Sequence, residues 1–186
     1  MTAPVVQQLL NRASMPRLDQ PAPTPDELEQ VLRAGLLAPD HAYLRPTRLH
    51  QVSGDGLARL GECFAAAVRQ DNPQASPAAL EKARTRPLRA PLILVAGCQP
   101  VAHEKVPVIE QLASTAACVS LMQTALDGLG YASMWRTGAM AYHPHVKAAF
   151  GLGQEDHLVA FLYVGTALGT PKQRHEIPLD QYCSRF

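Results

Sequence analysis

Hydrophobic positions change period several times along the chain, and each change marks an element. Residues 5–12 place Val6, Leu9 and Leu10 on one helical face, which predicts a short helix ending near Ser14-Met15-Pro16. After the Pro-rich connector 20–23, Thr24-Pro25-Asp26-Glu27 predicts a helix start. Thr24 caps, Pro25 suits the first helical position, and Glu27 closes a capping box. Leu28, Val31, Leu32 and Gly35 then recur at helical spacing, and Pro39 stops the helix by disfavouring helical geometry at Ala38. Residues 48–53 predict a strand, 57–70 a helix and 78–85 a short basic helix. Continuous apolar runs at 90–98 and 157–166 predict buried strands, with another inner strand at 131–136. Residues 107–127 predict the longest helix, and 143–150 a short one ended by Gly151.

The longest helix carries no charge between Gln111 and Leu126, so it is expected to be buried nearly all round. Its small residues Ala113, Ala116, Ala117 and Ser120 suit close approach of another helix. Polar residues recur too often in it for a membrane span. The tail 167–186 has Pro171, Pro178 and no helical period, yet Ile177, Leu179, Tyr182 and Phe186 give it apolar anchors for wrapping a partner. Strands and helices alternate irregularly, which predicts an α+β fold: a mixed sheet flanked by helices, in one domain spanning 1–186.

Composition narrows the function. A chain of 186 residues suits one domain, and 47% hydrophobic content suffices for a core. A net charge of +1 gives no general drive toward nucleic acid or an anionic membrane. Cys63, Cys98, Cys118 and Cys183 form no C-x-x-C pair and fit no zinc spacing. Residues 1–12 lack the pattern of a signal peptide, so free thiols in the cytoplasm are expected.

The search for chemistry first excludes several motifs. Gly128-Leu129-Gly130 closes a helix and precedes a strand, the reverse of a dinucleotide fingerprint, and reads as a helix cap. There is no phosphate-binding G-x-x-x-x-G-K-[ST] loop and no G-x-S-x-G elbow. His143 and His145 have no third ligand at a plausible offset and are expected to face solvent at a helix start. Lys82, Arg84, Arg86 and Arg89 read either as a solvated face or as phosphate contacts. Three segments carry more: Asn11-Arg12-Ala13-Ser14, Ala38-Pro39-Asp40-His41 and Trp135-Arg136-Thr137. Guanidinium and hydroxyl groups suit a phosphate, and apolar faces with a few edge donors suit a planar ring. Each segment alone also reads as a capped loop, and Trp135 as a core aromatic.

Together these segments resemble the nitroreductase family of flavoproteins, in its minimal YdjA-like branch. The matching pieces stand in family order: Leu10-Asn11-Arg12-Ala13-Ser14, residues 32–41 (LRAGLLAPDH), Arg89-Ala90-Pro91-Leu92-Ile93, Trp135-Arg136-Thr137-Gly138-Ala139 and Gly165-Thr166. The resemblance implies a domain-swapped α+β homodimer with two FMN sites at its interface. It assigns Arg12, Ala13 and Ser14 to the FMN phosphate and ribityl, with Arg136 as a second phosphate anchor. It brings Leu37 and His41 to the flavin from the other subunit, and Trp135, Arg136 and Thr137 to a further flavin contact. Ala125, Leu126, Asp127, Gly128, Leu129 and Gly130 match a stretch associated with NAD(P). The implied activity is ping-pong: NADPH or NADH reduces FMN, and a small acceptor such as a nitroaromatic or quinone then reoxidises it. The flavin carries the chemistry, so neither a catalytic side chain nor a metal is expected. The alternative is a flavin-binding sensor or carrier without turnover. Two departures stand out. Ala13 replaces the family's second arginine, and Arg45-Pro46-Thr47 replaces its Gln-Pro-Trp. The basic run Arg84, Arg86 and Arg89 is expected to bias the donor toward NADPH.

Overall fold

A computed structural model describes residues 3–171 and 177–186. Its five strands are β1 (Leu18–Asp19), β2 (Thr47–Ser53), β3 (Leu92–Cys98), β4 (Ala132–Arg136) and β5 (His157–Ala167). The hub is β5. One of its edges pairs with β3, which in turn pairs with β2; the other edge is shared by β4 and β1. All these pairings are antiparallel, and the parallel component is an isolated bridge between Ser14 and Ser133.

The helices are α1 (Pro4–Asn11), α2 (Pro25–Leu36), α3 (Asp55–Asp71), α4 (Pro77–Arg84), α5 (Val108–Gly128), α6 (Ala139–Tyr142) and α7 (Pro144–Ala149). They cover both faces of the sheet, which explains the unbroken apolar runs of the inner strands: every residue of β3 is buried. Alternation along each strand divides the core in two. Ile93, Val95, Phe161 and Tyr163 pack with Leu60 and Phe64 of α3, Met140 of α6 and Val146 of α7. Leu92, Leu94, Leu162 and Val164 pack with Val31 of α2 and Val119, Met122 and Leu126 of α5.

The expected capping box starts α2. The Glu27 amide donates to Thr24 Oγ1 at 3.4 Å, and the Thr24 amide donates to Glu27 Oε2 at 2.8 Å. Tyr131 Oη donates to the same carboxylate at 2.9 Å, tying α2 to the start of β4. Hydrogen bonds from the Thr24 backbone and side chain, and then from Tyr131, hold the Glu27 carboxyl below its ordinary range. Further along, a Cβ on Gly35 would lie 2.5 Å from Met122 Cγ, so α2 and α5 touch there only because that side chain is missing.

The expectation for α5 needs correcting within one chain. Cys118, Val119, Met122 and Leu126 are sealed, but Ile109, Ala113 and Ser120 are exposed. The uncharged sequence is explained on one side by the chain's own sheet; the other side lies open. Helix α1 likewise buries none of its residues, and Val5, Val6, Leu9 and Leu10 are all exposed. In the tail, Ile177, Leu179, Tyr182 and Phe186 are exposed as well, while residues 172–176 lie outside the described residues. The four cysteines are free: Cys98 and Cys118 are buried, Cys63 is half-buried and Cys183 is exposed. Among the described residues, no helix is long and apolar enough to cross a membrane.

Candidate functional site

The N-terminal segment is strapped across the β4 edge of the sheet. Helix α1 leans on the C-terminal half of α5, where Gln8 Nε2 donates to the Thr124 carbonyl at 2.7 Å. It ends at Arg12, whose backbone turns extended. Ser14 then forms the bridge to Ser133, the Met15 amide donates to the Ser133 carbonyl at 3.0 Å, and the Met15 side chain enters the core. Beyond it, β1 lies on the end of β5. A Cβ on Gly165 would come within 2.7 Å of the Asp19 carbonyl oxygen, and Thr166 Oγ1 donates to the Pro21 carbonyl at 2.9 Å. Gly165-Thr166 thus fixes the strap that carries Arg12, Ala13 and Ser14. Arg12 Nη1 is buried with no hydrogen-bond partner.

A cavity of about 360 Å³ opens at the end of β4, with Arg86, Arg89, Arg136, Phe64, Phe161 and Tyr163 in its wall. The Arg136 guanidinium lies 5.5 Å from the centre of the Tyr163 ring, and Arg136 Nε is buried without a partner. Burial pushes the Tyr163 hydroxyl up, and the charges of Arg136, Arg89 and Arg86 pull it partly back. No acidic partner pairs with these three arginines among the described residues. Tyr163 and the pair Arg86 and Arg89 were not grouped with Arg136 from sequence. The register that sets Met134 opposite Tyr163 brings them to one face of the sheet.

Trp135 and Arg136 part company here. Strand alternation sends the indole to the α2/α5 side, where Nε1 donates to the Val159 carbonyl at 3.1 Å and the ring packs on the core. The core-aromatic reading therefore describes its side chain. Thr137 is exposed, and Gly138 turns the chain at φ 68° into α6.

Leu37 and His41 lie elsewhere, by the N-terminal half of α5. Leu37 is 82% exposed, and His41 Nδ1 sits 2.8 Å from Glu110 Oε2. Leu37, Arg45, Pro46 and Thr47 line a cavity of about 330 Å³ with Ser114 and Cys118 of α5. The departing segment is strained: Ala42, Tyr43 and Arg45 all have positive φ, at 61°, 53° and 52°. The shielded Asp40 carboxylate holds the turn by accepting from the Arg45 amide at 2.8 Å. Residues 14 positions apart on α5, Glu110 and Thr124, anchor the two groups of site residues. At ~1.5 Å per residue they are about 21 Å apart along the helix.

Residues 125–130 form the end of α5 and its cap. Leu126 is fully buried, so its side chain is closed to a ligand, while Gly128, Leu129 and Gly130 are exposed. Arg84 is committed to Glu62 at 2.8 Å and Glu81 at 3.6 Å, unlike Arg86 and Arg89. His143 is not the solvent-facing residue expected. Its side chain is 10% exposed, its Nδ1 accepts from the His145 amide at 3.1 Å, and its Nε2 lies 3.3 Å from Asp71. Among the described residues, no group of three potential metal ligands converges.

The α+β sandwich thus holds two buried guanidinium nitrogens, Arg12 Nη1 and Arg136 Nε, that have no hydrogen-bond partner among the described residues. The nitroreductase family profile matches residues 9–166, and the chain belongs to that family. It is 40% identical over 160 residues to "Putative NAD(P)H nitroreductase YdjA" of Escherichia coli strain K12, covering 85% of each protein. Its fold matches a nitroreductase-like family protein from Bacillus cereus at a TM-score of 0.81 and 18% identity, over 100% of this chain and 97% of that one. It also matches a nitroreductase with bound FMN from Bacteroides fragilis NCTC 9343 at 0.76 and 18%, over the whole of both chains.

Proposed function

We propose that this protein is an FMN-dependent NAD(P)H oxidoreductase that reduces small acceptors such as nitroaromatics or quinones, working as a homodimer with two shared sites. The observation that carries the reading is the pair of buried, unpartnered atoms Arg12 Nη1 and Arg136 Nε. A buried donor left unpaired costs about 1–3 kcal/mol, so both call for an acceptor from outside the chain. A phosphate and the carbonyl-rich edge of a flavin are such acceptors. Bound FMN supplies hydride acceptance and return, which lets donor and acceptor use one face in turn.

The chain's own residues then have separate tasks. Arg12 and Ser14 bind the phosphate end from the strap. Arg136, with Arg86 and Arg89 in the same cavity, sets a positive potential that would favour the negative charge a flavin ring gains on reduction. The donor stretch at 125–130 offers Gly128, Leu129, Gly130 and backbone groups. Leu37 and His41 reach the site from the second copy. The opposite-end placement along α5 supports this sharing, because a two-fold axis across the open side of α5 brings the His41 end of one helix toward the Arg12 end of the other. The exposed apolar residues of α1 and the tail supply further surface for the same contact.

Complementation tests it. Arg12→Ala and His41→Asp, prepared separately, each damage both sites of a homodimer. After subunit exchange, a heterodimer gathers both lesions in one site, and flavin binding with NAD(P)H oxidation should return to about half of wild type. Confirmed exchange between folded variants without recovery places both residues in one subunit's site. Flavin retained but not bleached by NADH or NADPH without oxygen leaves a sensor or carrier instead.

A further inference from the structure

On the other flank of α3 lies a cavity of about 540 Å³ that the flavin reading does not use, with His50, Ser53, Arg59, Leu60, Cys63 and Phe150 in its wall. It belongs to the β2 side of the sheet. In the order β2-β3-β5-β4, that is three strands from Arg136, or ~14 Å at about 4.8 Å per strand.

Three features of this cavity point the same way. His50 Nε2 is buried and has no hydrogen-bond partner, a condition native interiors seldom leave unanswered. Arg59 has no acidic partner among the described residues. Its guanidinium folds back over the first turn of α3, where Nη2 lies 3.7 Å from the place a Cβ on Gly56 would take. No Asp or Glu lines the cavity; Asp55, the acidic residue in that first turn, is not part of the wall. The rest of the wall mixes the polar Gln51 and Ser53 with an apolar patch from Leu60, Phe150 and the half-buried Cys63, whose thiol is pushed up by burial and stays neutral. Phe150 also meets the His50 ring in a tilted contact, with centroids 5.3 Å apart.

We infer that this cavity binds a small organic carboxylate, its anionic end between Arg59 and His50 Nε2–H and its apolar body against Leu60, Cys63 and Phe150. An inorganic anion would leave the apolar patch of Leu60, Cys63 and Phe150 wet. A neutral apolar molecule would leave Nε2 unpaired and strip water from Arg59 without return. A carboxylate on a ring or branched chain answers both demands. The assignment is independent of the flavin reading, since it uses none of the same residues. The two cavities are nevertheless joined by a run of rings. Phe150 meets Phe161 at 6.3 Å, and Phe161 meets Phe64 at 5.3 Å, both in the wall of the Arg136 cavity.

The probe is benzoate, with benzamide as its uncharged match, titrated calorimetrically into the purified full chain carrying its flavin. Benzoate should bind, with benzamide about tenfold weaker or worse. Arg59→Gln should weaken benzoate by about tenfold or more, and so should His50→Phe, which keeps a ring on Phe150 but removes both nitrogens. Arg59 is solvent-facing and makes no ion pair, so its variant settles the matter even if the His50 variant does not fold. The proposal is overturned if benzoate does not bind, if benzamide binds as well, or if Arg59→Gln binds benzoate like the wild type.

Discussion

The two sides of α5 are alike in carrying no charge between Gln111 and Leu126 but have different surroundings. On the inner side, Cys118, Val119, Met122 and Leu126 are sealed against the sheet and α2. On the outer side, Ala113 and Ser120 face open space with no charge among them. Sequence reports that both sides lack charge, but not which of them the chain's own sheet covers. The candidate site divides in a related way, with Arg12 and Ser14 near one end of this helix and His41 near the other. A side finished by its own chain is tested by stability, and a side finished by a second copy is tested by assembly.

The largest effect is expected on the inner side. Met122→Ala removes a fully buried side chain from the α2 contact and should cost about 2–5 kcal/mol in chemical or thermal unfolding. A loss well under 1 kcal/mol would mean the inner side collapses freely and is no better packed than the outer. Next comes the outer side itself. Ser120→Arg should leave the helical circular dichroism intact while weakening the dimer by about tenfold or more, which is ~1.4 kcal/mol, and lowering flavin content with it. Unchanged mass and colour would return that side to solvent.

A similar contrast between satisfied and open groups follows α4. Arg84 is held by Glu62 and Glu81, whereas Arg86 and Arg89 line the Arg136 cavity. Arg86→Gln should therefore reduce kcat/KM for NADPH more than for NADH, by about fivefold or ~1 kcal/mol, and Arg84→Gln should not discriminate. Equal losses with both donors would separate the cavity from donor choice.

The smallest effect lies where α2 is pinned beside α5. The folded-state pKa of Glu27 is lowered, so its contribution is present above the ordinary value of 4.5 and is lost as pH falls through the folded value. The melting temperature gap between wild type and Glu27→Gln should thus be widest near neutrality and close in acid. A gap that persists below the pKa would show that the contribution does not come from ionisation.

Most of the fold was legible because its signals are local. Thr24 and Glu27 announce a helix start, Pro39 an end, and the runs at 90–98 and 157–166 strands covered on both faces. The candidate site was legible only as segments. Trp135-Arg136-Thr137 reads as one patch along the chain, yet the two-residue period of a strand sends the indole into the core and the guanidinium into the cavity. Tyr163 joins Arg136 through strand register, which no local pattern states. His143 looked free because its cap role depends on His145 and Asp71 being in place. Residues meeting across an interface carry even less signal, since the open side of α5 spells nothing about its cover.

The placement of the thiols bears on how long such a catalyst lasts. Quinones and the nitroso products of nitro reduction are electrophiles, and they are attacked by thiolates rather than thiols. Burial pushes Cys118 up to about 11, and it also raises Cys63 and Cys98. At pH 7 roughly one Cys118 in ten thousand is ionised, and the side chain is closed to solvent as well. Cys183, out on the tail, is the exposed thiol. An enzyme releasing electrophiles would therefore be alkylated first on its tail, and its buried thiols would outlast many turnovers.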